Sequence, residues 1–302
     1  MTKIAKTIKI ETSHEDWLKS KDLNFSEWIR NKLDEAIENE NRGSGRSSLK
    51  AVILAAGKDK SLFPLTEDIP KTMLDIKGKT ILERQIELLK SAGITDIAVV
   101  RGFKKDQINL SGLVFFDNDG FEDTGSLVSL LHAREFLDTD TIVLYGDILF
   151  ESETLTRLIE SKGDTTLVVD RGWKKRYQES KEGHTQKPEL TTLAEGTDDP
   201  KVVGVGSTET DLSSEFIGLA KLSVNTLLIL DDVYKNIYCQ RPEEVFHSSS
   251  SFRMASFLDF IQELIVQKQD IIAIEIWRSW IDVDTFEDYR NSWKLIAEFD
   301  RG

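Results

Sequence analysis

Short apolar runs return at intervals along most of the chain. The clearest are Ala51–Leu54, Ile97–Val100, Val114–Phe116, Ile142–Tyr145, Thr166–Asp170, Glu215–Leu222 and Ile271–Ile276. Runs of this length, without polar alternation, predict strands buried on both faces. Between them the apolar spacing changes to the helical period. Ile81, Leu82, Ile86 and Leu89 share a face from Thr80 to a stop at Gly93. Leu127, Leu130, Leu131 and Leu137 do the same from near Ser126, and a further helix starts at about Glu153. Phe257, Phe260, Ile261, Leu264 and Ile265 form another such face, and Phe286, Tyr289 and Trp293 follow a cap at Asp284 or Thr285. Strands alternating with helices predict an α/β, Rossmann-like mixed sheet flanked by helices over residues 49–302.

The first 48 residues follow another pattern. Ile4, Ile8 and Ile10 share one parity of a short strand, opposite Lys3, Thr7 and Lys9. Ser13 caps a first helix, and a second starts at about Ser26 with Trp28, Ile29, Leu33, Ala36 and Ile37 on its face. Such a unit is too small to bury a core alone. Residues 1–40 resemble a ribbon-helix-helix unit, which pairs strands with a second copy, and a homodimer through this segment is expected. Residues 41–48, NRGSGRSS from Asn41, read as a polar linker.

Charge narrows the choice of partner. The net charge is −14, and residues 1–48 balance nine basic against nine acidic side chains. Both facts argue against DNA and against anionic membranes, so the N-terminal unit reads as a dimeriser before a DNA reader. No apolar run reaches membrane-spanning length and no signal-peptide core is present. The single cysteine, Cys239, fits a cytoplasmic protein without disulfides.

Candidate chemistry concentrates after the first buried strand. Leu54, Ala55, Ala56 and Gly57 are small at the strand end, where backbone N–H groups can meet a phosphate. Lys58, Lys60 and Lys71 supply cations, within a stretch (residues 50–80) of six lysines and four acids. Thr124, Gly125 and Ser126 stand at a helix N-terminus, where N–H groups and hydroxyls are free for a ligand. Asp147 follows a glycine at a strand end, which in an α/β sheet faces the ligand crevice. Asp282 and Asp284 alternate onto one face of an extended segment, where two carboxylates call for a cation. A long polar stretch, VVDRGWKKRYQESKEGHTQKPE, reads as a substrate lid or solvated hairpin.

The letters LAAG, PLT, PK, GK, LE and AG between Leu49 and Gly93 resemble the opening signature of the sugar-phosphate and choline-phosphate nucleotidyltransferases. The resemblance runs to the C-terminus and implies a GT-A-like nucleotidyltransferase fold. It implies Mg2+ on Asp147, completed by Asp284 and Asp282, with Lys71 at the α-phosphate and Lys58 and Lys60 at the outer phosphates. The family loop carries Gly-x-Gly-x-Arg, whereas this chain has Asp59 and Ser61 at the last two fixed positions. Cytidylyltransferases of the family often carry asparagines where this chain has Gly125 and Ser126.

The WKKRY stretch resembles cytidylyltransferases of phosphonate metabolism. That implies CTP as donor and a small phosphonate acceptor, 2-aminoethylphosphonate or 2-hydroxyethylphosphonate. Phosphocholine and sugar phosphates are the alternatives. Asp170, Trp173, Lys174, Lys175, Arg176, Glu215, Trp277 and Trp280 are the acceptor candidates, either as carboxylates for an amine, a basic lid or an aromatic cage. Two other classes compete: a DNA-binding regulator that senses a nucleotide, and a non-catalytic subunit that lost the loop arginine.

Overall fold

The computed structural model describes residues 49–179, 187–194, 200–206 and 213–299, with isolated positions 12, 25 and 29. The chain divides after Ser48, and the unit described here is the second, residues 49–302. The ribbon-helix-helix-like segment and the linker expected before it lie outside the described residues.

A nine-stranded mixed sheet forms the centre. Four parallel strands build its first half: β1 (Lys50–Ala55), β4 (Ile97–Arg101), β5 (Val114–Asp117) and β6 (Thr141–Tyr145). β1 lies between β4 and β6, and β5 extends the edge beyond β4. The second half hangs on β11 (Ser213–Leu222), which runs antiparallel to β6, to β8 (Thr165–Asp170) and to β9 (Leu190–Leu193). β10 (Val202–Val205) borders β9, and β12 (Ile271–Ile276) runs parallel to β8. Two small ribbons stand apart: β2 (Asp75–Ile76) with β3 (Lys79–Thr80), and β7 (Ile148–Phe150) with β13 (Trp280–Asp282).

Strand alternation splits the core into two layers. Val52, Ala98, Val100, Val143, Leu167 and Val169 face one cluster; Ala51, Ile53, Val99, Ile142, Leu144 and Val168 face the other. The first face is covered by α2 (Ser126–His132), α5 (Val224–Val233) and α6 (Phe257–Val266); the second by α1 (Ile81–Ser91) and α3 (Ser152–Glu160). A third cluster, with Leu62, Leu74, Ile76, Ile281, Val283 and Ile296, seats the loop after β1 against the last helix, α7 (Phe286–Phe299).

Helix starts follow their side chains. Thr80 and Glu83 form a reciprocal capping box on α1, and Ser256 with Asp259 does so on α6. Thr285 and Asp288 exchange the equivalent bonds at α7, so Thr285 caps that helix and Asp284 is left for other work. Two expectations change. Leu137 is not in α2, which ends at His132. The polar stretch after β8 begins as a helix, α4 (Trp173–Glu179), and not as a loop. Among the described residues no helix is long and apolar enough to cross a membrane.

Candidate functional site

Three backbone clips bring distant residues to the C-terminal ends of β1 and β6. Gly146 donates its N–H to the Leu54 carbonyl at 2.9 Å. A Cβ there would come within 3.0 Å of that same oxygen, so glycine is needed for the approach. Asp147 follows, and its carbonyl accepts the N–H of Val283 at 3.1 Å. With the β7–β13 pairing, this clip delivers Asp284 to Asp147. Lys71 arrives on a single 3-10 turn, Lys71–Met73, after Pro70.

The result is one ammonium among three carboxylates. Lys71 Nζ lies 2.6 Å from Asp284 Oδ1, 2.8 Å from Asp59 Oδ2 and 2.9 Å from Asp147 Oδ2. Its side chain is 10% exposed. Burial opposes the charge, but Asp147, Asp284 and Asp59 overcome it and hold the lysine well above its ordinary range. Burial pushes the Asp284 carboxyl up, aided by Asp282 and opposed by Lys71. Burial also acts on Asp59, but Lys71 and the Ser61 N–H outweigh it and pull its carboxyl below the usual range. Asp59 is absent from the sequence-derived candidates: its signal was the replacement of a loop glycine by an acid.

A cleft of about 350 Å3 opens above this group, lined by Leu54 to Asp59, Lys71, Thr124 to Ser126, Tyr145, Asp147 and Glu189. Its size suits a small organic ligand. Lys58 lines it while reaching Glu122 at 3.2 Å and lying over the Phe103 ring. Lys60 is exposed and does not line the cleft, so its expected phosphate contact has no support here.

Thr124 to Ser126 line the cleft, and several of their polar groups are engaged by the protein itself. Gly125 N–H bonds to Arg253 O at 2.7 Å, and Leu127 N–H to Ala255 O at 3.1 Å. Ser126 Oγ accepts the Phe257 N–H at 2.8 Å. Thr124 Oγ1 accepts from Asn118 Nδ2 and donates to Gly120 O. This helix start is stitched to residues 253–257. A Cβ on Gly125 would meet the Ala255 carbonyl oxygen at 2.1 Å.

A second cavity, about 80 Å3, adjoins the first through Tyr145, Asp147 and Glu189. It is lined also by Tyr177, Lys187, Glu215, Trp280, Asp282 and Asp284. Glu215 accepts from Tyr177 Oη at 3.0 Å and Arg176 Nη2 at 2.6 Å. Glu189 accepts from Tyr145 Oη at 3.1 Å. Burial lifts both glutamates to about 7; nearby carboxylates add to the rise, and the Arg176 and tyrosine bonds oppose it. Glu189 and Tyr145 are absent from the sequence-derived site candidates, since a glutamate in a polar stretch carries no signal, whereas Tyr177, a candidate for the aromatic cage, donates to Glu215 instead.

Several acceptor candidates belong to the scaffold instead. Asp170 is fully buried and accepts the N–H groups of Gly172 and Arg278 and the Trp280 indole. Trp173 is buried, with its indole on Ser213 O. Trp280 is buried with the Arg176 guanidinium 4.6 Å from its ring centre, and Trp277 is 69% exposed. No aromatic cage therefore forms from Trp173, Tyr177, Trp277 and Trp280. Lys174 and Lys175 line neither cavity, and Arg176 spends its charge on Glu215 and Asp282.

The three carboxylates expected on a metal do not act as one set. Asp282 is tied to Arg176, and among the described residues no group of three or more acids, histidines or cysteines could hold an ion. Asp147 and Asp284 do converge on one cation. Two carboxylates with substrate phosphates are a donor set that suits Mg2+. A wider open groove of about 1000 Å3 lies by Gly163, Thr165 and Ile272, at the N-terminal ends of β8 and β12. Ligands of such sheets bind at the opposite, C-terminal ends.

Residues 51–194 match the model of the MobA-like NTP transferase domain. The chain is 28% identical over 254 residues to a CTP:phosphoglutamine cytidylyltransferase of Campylobacter jejuni, covering 80% of this chain and 97% of that one. It is 34% identical over 108 residues to a choline-phosphate cytidylyltransferase of Streptococcus pneumoniae, spanning 34% and 47% of the two chains. Among solved structures, a CTP:phosphocholine cytidylyltransferase from Streptococcus pneumoniae superposes with a TM-score of 0.60 at 21% identity, over 82% of this chain and 99% of that one. An inositol-1-phosphate CTP transferase from T. maritima gives 0.62 at 15% identity, over 84% and 96%.

Proposed function

Since this chain belongs to the nucleotidyltransferase family, with a MobA-like NTP transferase domain, we propose that it transfers CMP from CTP to a small phosphonate and releases pyrophosphate. The observation that carries the reading is the buried Lys71 held by Asp147 and Asp284 at the floor of the cleft. A phosphate or phosphonate oxygen is already anionic near neutral pH, so the attack needs no general base. Lys71 neutralises charge at the α-phosphorus and orients the incoming oxygen, with Lys58 beside the outer phosphates. Asp147 and Asp284 would hold Mg2+, which when bound offsets phosphate charge.

The acceptor enters from the side of the smaller cavity. Its wall of carboxylates, Glu189 and Glu215 foremost, supports an acceptor that carries N–H donors. The absence of an aromatic cage among the described tryptophans weighs against a quaternary ammonium. 2-Aminoethylphosphonate therefore ranks above 2-hydroxyethylphosphonate and phosphocholine. The phosphonate itself rests on the resemblance of the WKKRY stretch. A phosphomonoester is the second reading, favoured by the phosphoglutamine and phosphocholine enzymes among the relatives.

The test is pyrophosphate release with each nucleoside triphosphate against a panel of these acceptors, followed by competition at equal concentration. A higher kcat/KM for phosphocholine or another phosphomonoester overturns the phosphonate and leaves cytidylyl transfer in place. No turnover with any pair overturns both.

A further inference from the structure

Asp59 has no part in the chemistry above, yet it shares the ammonium on which that chemistry depends. Its Oδ2 lies 2.8 Å from Lys71 Nζ, and its Oδ1 accepts the Ser61 N–H at 2.7 Å. The carboxylate lines the nucleotide cleft and is 17% exposed on its side chain. Of the three acids around Lys71, Asp147 and Asp284 are fixed to strand ends and clipped to each other through Val283. Asp59 alone stands on the loop between β1 and Lys71.

Charge arithmetic gives the consequence. Lys71 contributes +1 and the three aspartates −3, a net of −2 where a polyphosphate has to sit. If a divalent cation arriving with the nucleotide balances Asp147 and Asp284, the Lys71–Asp59 pair remains. A phosphate oxygen gains Lys71 only by taking the place of the Asp59 carboxylate. That carboxylate then lies beside the incoming anion and repels it.

We propose that Asp59 is the counter-ion that competes with nucleotide for Lys71, and so sets the affinity of the cleft for the triphosphate and for leaving pyrophosphate. It is a positioning residue: it holds the lysine between turnovers and reclaims it as product departs. The inference rests on the nucleotidyltransferase reading of the cleft.

Calorimetric titration of the full chain with CTP and with pyrophosphate tests it, comparing wild type with Asp59→Asn and Asp59→Ser. Both replacements keep an oxygen for the Ser61 N–H and remove the charge. The expected result is tighter binding of both ligands by about fivefold, the size of a partly screened charge contact. KM for CTP then falls by a larger factor than kcat changes. A purely structural role predicts looser binding. Unchanged or weaker affinity in both variants, with melting temperatures intact, overturns the proposal. Weaker binding with a raised divalent-cation requirement also overturns it, and makes Asp59 a metal ligand. A wild type that binds neither CTP nor any other triphosphate overturns the cleft reading and this inference with it.

Discussion

A lysine buried to nine-tenths is stable only while its carboxylates are in place, and the converse holds for them. Lys71→Met strands Asp284, Asp59 and Asp147 without their cation. It should lower stability by about 3 kcal/mol and abolish turnover; denaturant unfolding and pyrophosphate release measure the two effects. Asp147→Asn separates them, because Asp147 is 29% exposed and water replaces part of what it loses. Its melting temperature should stay close to wild type while turnover falls by orders of magnitude. Near wild-type turnover there would remove Asp147 from the chemistry. The glutamates of the smaller cavity give a pH signature. Glu189 and Glu215 titrate at about 7 when folded, against 4.5 as the ordinary value. Between those limits the folded protein keeps protons that the unfolded chain has released. Their stabilising contribution is therefore full below pH 4.5 and declines as pH rises through 7. Thermal melts from pH 4.5 to 8 should show a smaller decline in Glu189→Gln than in wild type; identical slopes would refute the raised value.

Helix starts carry the element-scale predictions. Thr80→Ala removes the hydroxyl that accepts the Glu83 N–H and donates to the Glu83 carboxylate, leaves the backbone N–H bond of residue 80 to that carboxylate, and should cost about 1 kcal/mol without touching the cleft. Kinetic constants should stay constant while the denaturation midpoint drops. Gly125→Ala is the severe case, because the new Cβ would overlap the Ala255 and Met254 carbonyl oxygens. A loss of about 3 kcal/mol or more is expected from such overpacking, read as loss of folded protein on melting. The buried strands and amphipathic helices were legible because apolar period and burial are the same fact. Lys71, Asp147 and Asp284 entered as candidates through the family resemblance, which gave weight to a Pro-Lys pair, a Gly-Asp turn and an Asp-Thr pair that are common on their own. The role of Gly125 was not legible, since its neighbours at 253–255 lie far along the chain. Nor were the engagements of Asp170, Trp173 and Arg176, whose residue types fit a ligand site as well as a scaffold. β9 and β10 went unread because their threonines and glycine dilute the apolar signal.

On the scale of the whole molecule, the sheet, its helices and the cleft are all drawn from residues 49–302. Removal of residues 1–48 should leave a folded enzyme with wild-type kcat and a lower mass in solution, if the N-terminal segment pairs two copies. Light scattering decides this: an unchanged mass refutes the dimer, and an inactive but folded product refutes the independence of the site. One feature of the cleft bears on how the enzyme is made. Lys71 and Asp284 are 213 residues apart in the chain. At ribosomal speeds of roughly 5–20 residues per second, the lysine emerges tens of seconds before its third partner is synthesised. Of the three carboxylates that hold the finished lysine, Asp59, twelve positions upstream, is the one synthesised before it. The lysine can therefore be buried with its full set of carboxylates only after the closing strand of the ribbon has been delivered.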